Sequence, residues 1–466
     1  MRGSPRVGPW LAGGLVLAAG WFLYVSSVGL PNRVRGDAVT HLRVAAGAGS
    51  LVDVLGWAGE RTLGFPLFLY AIRVPFELVT PLSDETLGAF VNTVAVVLFG
   101  IHVAASLFFF RRMQAIVASA LGLTLHPVAL SLLVAYPGFV AYTTVPLTDA
   151  LAADLLMVGV VLAAGRARAV SGILAGLVLG ALVLVRPTAL VVTAIVILAG
   201  LAHGLWRDRA RVPALAIAAV LWSALIGLQA FNCSGAYGEP CLTEPAATRK
   251  ALGESIAWGT TSARQYWSRY SSDVEGRVTV PDALLMRVLG PSCPARTLLG
   301  GDGLLACLVA QPLAYPAMLL EKSIGLCDTY QLQPYAVDVT PRWARLSSRP
   351  FGALAFAGLA AAGVWLVVLL ATAPASPLAL VLLAPVAHVA WHALFHVEAR
   401  YGLGAVPFAL VMLVATLQWA LARPRAARAG VTGGLLLAGI VFITQTSRWD
   451  RADPVLARIE AGASAR

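Results

Sequence analysis

The feature that most constrains this chain is a series of long apolar runs, several of them separated by short connections rich in arginine. A run of about 20 apolar residues, rising 1.5 Å per residue as a helix, covers a ~30 Å hydrocarbon core, and only a helix satisfies its own backbone there. The runs recur at 9–30, 87–110, 116–135, 149–164, 172–185, 188–205, 215–231, 351–371, 378–395, 402–421 and 432–443. They predict an all-α polytopic membrane protein of about eleven crossings. With 59% hydrophobic and 12% charged residues, a soluble globular domain is excluded.

Charge orients the bundle. Connections after Phe110, Ala164, Leu205 and Leu421 each carry two or three arginines, which marks them as inner by the positive-inside rule. The net charge of +11 is therefore topological, and no aromatic-interleaved basic run points to nucleic acid. The first run holds Trp21, Phe22 and Tyr24 and fits a cleaved signal peptide poorly, so it reads as a retained helix with an inner N-terminus. Three regions result: a transmembrane bundle at 1–231 that includes a first outer loop at 31–84, an outer region at 232–349, and transmembrane helices with a tail at 350–466.

The first outer loop contains Asp37 among Arg33, Arg35, His41 and Arg43, followed by an apolar spacing that predicts an amphipathic interfacial helix over 38–54. A second apolar stretch, 63–78, carries Pro66, Arg73, Pro75 and Glu77 and reads as interfacial or re-entrant. The outer side also receives a short turn at 136–148, Arg186, and the His396 to Tyr401 segment. Ionisable groups gathered on one face of an apolar bundle are a functional signal, because polar groups at membrane depth are costly unless paired or used. The large loop holds Cys233, Cys241, Cys293 and Cys307, which suggests an oxidising compartment with Cys233–Cys241 and Cys293–Cys307 as plausible bridges. No CxxC or paired histidine accompanies them, which argues against a metal site. Residues 304–326 are apolar but interrupted by Pro312, Pro316, Glu321 and Lys322, and read as a membrane-parallel helix.

Several stretches taken in order resemble the GT-C superfamily of polyprenyl-phosphate-sugar-dependent glycosyltransferases. They are Gly36-Asp37 opening an amphipathic helix, GFPLFLYA from Gly64, PLTDAL from Pro146, and GLVLGALVLVRP from Gly176. QPLAYPAMLLEK from Gln311 and HVEARYGLGAVP from His396 complete the series, the last resembling an H-x-E-x-R-Y pattern. The resemblance implies a GT-C-like bundle in the cytoplasmic membrane, with its active site facing the periplasm or exterior. There a sugar would pass from a polyprenyl phosphate to a glycan, lipid or protein acceptor, with inversion at the anomeric carbon. Such a transfer needs a base for the acceptor hydroxyl and cations for the departing phosphate. Asp37 is the candidate base. Arg186, Lys322 and Arg400 are candidate phosphate contacts, and Asp149, His41, Arg43, His396, Glu398 and Tyr401 are candidate substrate contacts. Ala38 follows Asp37 where relatives carry a second acid, so a divalent metal stays open.

Each candidate also has a purely structural reading. Asp37 can serve the N-terminal dipole of its helix, Thr148 and Asp149 can cap theirs, and Arg186 can snorkel beside a helix-starting Pro187. Lys322 can pair with Glu321 or snorkel, and His41 and Arg43 can be solvated. His102, His126, His388 and His392 read as structural, and Gly172, Gly176 and Gly180 as small-residue helix packing. The competing functions are a lipid-linked glycan transporter or flippase and a non-catalytic membrane assembly subunit. Against a transporter, the charges cluster at outer helix ends and no internal repeat is visible.

Overall fold

The computed structural model describes residues 7–27, 34, 37–57, 62–165, 168–245, 265–267, 277–279, 314–328, 342–374, 376–392 and 399–452. Those residues form an all-α membrane protein with one small two-stranded exception in the large loop. Six helices have the length and apolar character to cross a bilayer. In chain order the first half contains α1 (Val7–Ser26), α2 (Asp37–Gly47), α3 (Leu51–Leu55), α4 (Gly64–Glu77), α5 (Leu87–Leu121), α6 (Val128–Ala135) and α7 (Pro137–Thr143). Next come α8 (Thr148–Ala163), α9 (Ala169–Val185), a 3-10 turn at Pro187–Ala189, α10 (Leu190–Arg207), a second 3-10 turn at Arg209–Arg211, and α11 (Val212–Tyr237). The large loop contributes β1 (Gln265–Trp267) and β2 (Arg277–Thr279), paired antiparallel, and α12 (Ala314–Cys327). The C-terminal part holds α13 (Arg342–Thr372), α14 (Pro377–His392), α15 (Ala399–Gly402), α16 (Val406–Leu421) and α17 (Arg425–Ala452). The spanning candidates include α1, α5, α10, α11, α13 and α17, while α9, α14 and α16 are apolar helices of 16 or 17 residues.

Several expected boundaries move, each for a local reason. The amphipathic helix expected over 38–54 is two helices: α2 stops at Gly47, and α3 restarts behind Ser50. Ser50 and Asp53 form a reciprocal capping box, with Ser50 N–H donating to Asp53 Oδ2 at 2.8 Å and Asp53 N–H to Ser50 Oγ at 3.3 Å. The crossing expected to end at Arg111-Arg112 continues through both arginines for 35 residues to Leu121. Arginine is a good helix former, and Arg112 lies over the Phe108 ring at 5.1 Å, so neither residue breaks the helix. The stop comes from Gly122, which takes the left-handed conformation (φ +67°) and returns its N–H to Ala118 O.

The expected crossing over 116–135 therefore does not exist as one helix. Its return stroke is α6 and α7, broken where Tyr136 is extended ahead of Pro137. Residues 136–148, expected as an outer turn, are mostly the buried helix α7. At the C-terminal end, α13 and α17 begin earlier than their apolar runs, at Arg342 and Arg425, because the flanking polar residues extend the helix. Of the helix expected over 304–326, residues 304–313 lie outside the described residues, and the described part is α12 over 314–327.

Small residues set the helix spacing. Gly172, Gly176 and Gly180 lie one turn apart on α9 and face α11, where a Cβ on Gly172 would sit 2.1 Å from Ala214 O and one on Gly176 2.6 Å from Ala218 O. Backbones approach this closely only over glycine, so the packing expected from the sequence is present. Gly358 of α13 similarly meets Ala409 O of α16. At the other end of α9, Gly64 opens α4 directly against Leu184 and Val185, placing the α2–α4 pair next to the turn that carries Arg186.

Candidate functional site

A cleft with about 350 Å³ of space between atoms opens where the N-terminus of α8, the end of α9, the end of α14 and α15 converge. Arg186 is placed there by its neighbour. The residue before a proline is pushed to extended backbone, and Arg186, at φ −143° and ψ 99°, ends α9 as Pro187 begins the 3-10 turn. Asp149 sits in the first turn of α8, where an acid suits the helix dipole. The capping expected of Thr148 and Asp149 is not what they do: Leu147 is the cap residue, and no side chain bonds the helix N-terminus. Asp149 instead forms an ion pair with Arg186 Nη1, its side chain only 2% exposed.

Tyr401 is the centre of the cleft's packing. The Arg186 guanidinium lies 4.8 Å from its ring centroid and Arg400 lies 5.1 Å away, with Arg400 Nη2 donating to the Tyr401 hydroxyl at 3.3 Å. His392 stacks on the same ring at 5.3 Å between centroids with 15° between planes. His388, 4.4 Å from His392, donates Nε2–H to the Tyr401 carbonyl at 2.6 Å. Gly404 makes room for that imidazole, since a Cβ there would lie 2.6 Å from His388 Cε1. Two arginines, two imidazoles, a tyrosine and one carboxylate thus line the cleft. This donor-rich, partly buried set is suited to an oxyanion such as a phosphate ester.

Four of the residues singled out in the sequence are brought together here: Asp149, Arg186, Arg400 and Tyr401. His388 and His392, read there as structural, belong to the same wall. Their signal was present, because a spacing of four puts two histidines on one helix face. Asp37, His41 and Arg43 do not line the cleft. They lie on α2, which packs on α4 through the buried His41, edge-on to Phe65 at 5.0 Å, while Arg43 is exposed. The solvated reading of His41 is therefore corrected: its ring fills an apolar contact. Arg73 of α4 fixes the other end of α2, donating Nη1 to the carbonyls of Ala45, Ala46 and Ala48 at 2.8 to 2.9 Å and pairing through Nε with Glu77 at 2.9 Å. These carbonyls belong to a helix terminus and lack intrahelical partners.

Lys322 is fully buried on α12 and does not line the cleft, so the snorkelling reading fails for it. Burial lowers its pKa to about 7. Its helix backs onto α15, where Gly402 meets Leu326 O. His396, Glu398, Cys293 and Cys307 lie outside the described residues. Cys233 and Cys241 form the expected disulfide, and Cys327 is a buried free thiol. No group of three or more potential metal ligands occurs among the described residues.

One further polar contact was not anticipated. His102 of α5 and Asp154 of α8 meet at 2.9 Å inside the bundle, with His102 Nε2 3.2 Å from Leu133 O and the imidazole stacked on Phe139 at 4.4 Å. Nothing in the spacing of two residues on different helices announces such a pair. Comparison with protein-family models, with curated proteins and with solved structures finds no match for this chain.

Proposed function

We propose that the chain is an integral-membrane glycosyltransferase that moves a sugar from a polyprenyl phosphate to an extracytoplasmic glycan, lipid or protein. The carrying observation is the cleft at the helix ends in which Arg186, Arg400, His388 and His392 gather around Tyr401. In this reading the arginines hold the donor phosphate and stabilise the charge that grows on it as the glycosidic bond breaks. Asp149 orients Arg186, and its engagement leaves the task of deprotonating the acceptor to Asp37. The positions of α2 and α4 support that division, since α4 begins against the residues just before Arg186. The active site would face the exterior of the cytoplasmic membrane, opposite the arginine-rich connections.

The test is sugar transfer by membranes holding equal amounts of folded wild type, Asp37→Asn or Arg400→Gln, supplied with a panel of polyprenyl-phosphate sugars. Loss of transfer in both variants, with donor binding retained only in Asp37→Asn, is expected. Undiminished transfer by Asp37→Asn removes Asp37 as the base. The buried His102–Asp154 pair favours a second reading, a lipid-linked glycan transporter, because ionisable pairs inside a bundle often serve transport. Movement of a lipid-linked glycan across vesicles by the wild type, without any sugar transfer, would select it.

A further inference from the structure

α11 carries two side-chain amides, Gln229 and Asn232, near the end of an otherwise largely apolar helix. An amide in such a helix is costly to bury unless it is hydrogen-bonded. Over the last half of α11 the buried positions are Gln229 and Cys233, one turn apart on one face, whereas Leu228 and Phe231 beside them are exposed. That face therefore holds its surroundings by polar and covalent contacts rather than by apolar packing.

Gln229 is fully buried and uses its amide at both ends. Its Oε1 accepts the Leu63 N–H at 3.1 Å, and its Nε2 donates to Leu242 O at 2.9 Å. Two local features bring Leu242 back to α11. Gly238 takes the left-handed conformation (φ +72°) and ends the helix, and the Cys233–Cys241 disulfide pins the returning chain beside Gln229. Asn232, three residues further on, donates Nδ2 to Leu55 O. Gln229 and Asn232 thus grip both ends of the connection between α3 and α4.

Leu63 is the cap residue of α4, and Gly64 directly after it lies against Leu184 and Val185, the two residues before Arg186. Through Arg73, α4 also holds α2, the helix that carries Asp37. We propose that Gln229, locked by the Cys233–Cys241 disulfide, is a positioning residue: it fixes the start of α4 and thereby the placement of Asp37 relative to the Arg186 end of the cleft. The consequence for turnover rests on the transferase reading; the grip on α4 does not.

The experiment uses the full chain in mild detergent as wild type, Gln229→Met, Gln229→Glu and Cys233→Ser/Cys241→Ser. Methionine keeps the length of the side chain and suits an apolar helix but bonds neither partner, whereas glutamate still accepts the Leu63 N–H. Amide hydrogen exchange over 62–70 is expected to rise about tenfold in Gln229→Met and in the cysteine variant, with exchange in α5 unchanged. In both, kcat per folded protein is expected to fall about tenfold or more while KM for the donor changes less than about twofold, and Gln229→Glu is expected to recover part of kcat. Combining Gln229→Met with the cysteine substitutions is expected to add little to either alone, since both break one chain of contacts. Unchanged exchange over 62–70 in Gln229→Met and in the cysteine variant overturns the proposal, whatever the transfer assay gives. Faster exchange with kcat per folded protein unchanged makes Gln229 a structural contact only and overturns its positioning role. A wild type that transfers no sugar from any donor refutes the transferase reading, and exchange alone then decides the grip on α4.

Discussion

Breaking the Asp149–Arg186 pair offers the most direct test of how the cleft is held. Asp149 is 2% exposed and Arg186 15% exposed at the side chain, so the carboxylate is the member that water cannot reach. Removing one partner of a buried pair costs roughly 3–5 kcal/mol, chiefly because the other charge is stranded. Arg186→Gln strands Asp149 and loses the contact over Tyr401, itself worth about 0.5–1 kcal/mol at a partly exposed site, so a loss of about 4–6 kcal/mol is expected. Asp149→Asn leaves the arginine at the mouth, where water can solvate it, and is expected to lose about 1–2 kcal/mol. The double variant contains two neutral amides and no stranded charge, and should lose less than the sum of the single variants by at least about 1 kcal/mol. Equilibrium unfolding in mild detergent, run on all four proteins, measures that coupling. Additivity within about 0.5 kcal/mol would refute the pair as the element that fixes Arg186. Arg186→Lys falls between, since an ammonium keeps the charge but not the planar contact with Tyr401.

Two other consequences can be checked. Arg73→Gln frees the C-terminal carbonyls of α2, so under the transfer reading kcat per folded protein should fall about tenfold or more while KM for the donor changes less than about twofold, with partial recovery in Arg73→Lys; a loss of activity that disappears on normalising to folded protein would refute the positioning role. Burial lowers the Lys322 pKa from 10.5 to about 7, so between those values the unfolded chain holds more protons than the folded one and stability rises with pH, by up to about 1.4 kcal/mol per unit; Lys322→Met should flatten that slope and be the more stable protein at pH 7, and an unchanged slope by denaturant titration would count against the assignment.

Membrane character, the helical class and some helix limits were legible in the chain itself, because they depend on the length of apolar runs and on local stop signals. The Pro187 that ends α9 and the glycines that bring α9 onto α11 are examples. The misplaced limits have the same local origin: Arg111 and Arg112 were read as an end when only Gly122 could supply one, and a capping box at Ser50 and Asp53 divided a helix expected to be continuous. Asp149, Arg186, Arg400 and Tyr401 could be named from sequence as charged or polar residues at helix ends, but their meeting in one cleft could not. His388 and His392 differ from them only in sitting inside an apolar run, which concealed their role until the fold turned that face towards Tyr401. The sequence by itself determined the helical class and where most of the apolar helices lie, since those follow from propensity and hydropathy along one dimension. Tertiary structure alone decided that Asp149 engages Arg186 rather than its own helix terminus, that Asp37 stands on a separate pair of helices, and that His102 finds Asp154. Each of these depends on how closely two distant helices approach and at what rotation, which small residues such as Gly64, Gly172 and Gly404 set by where they let backbone or ring come near.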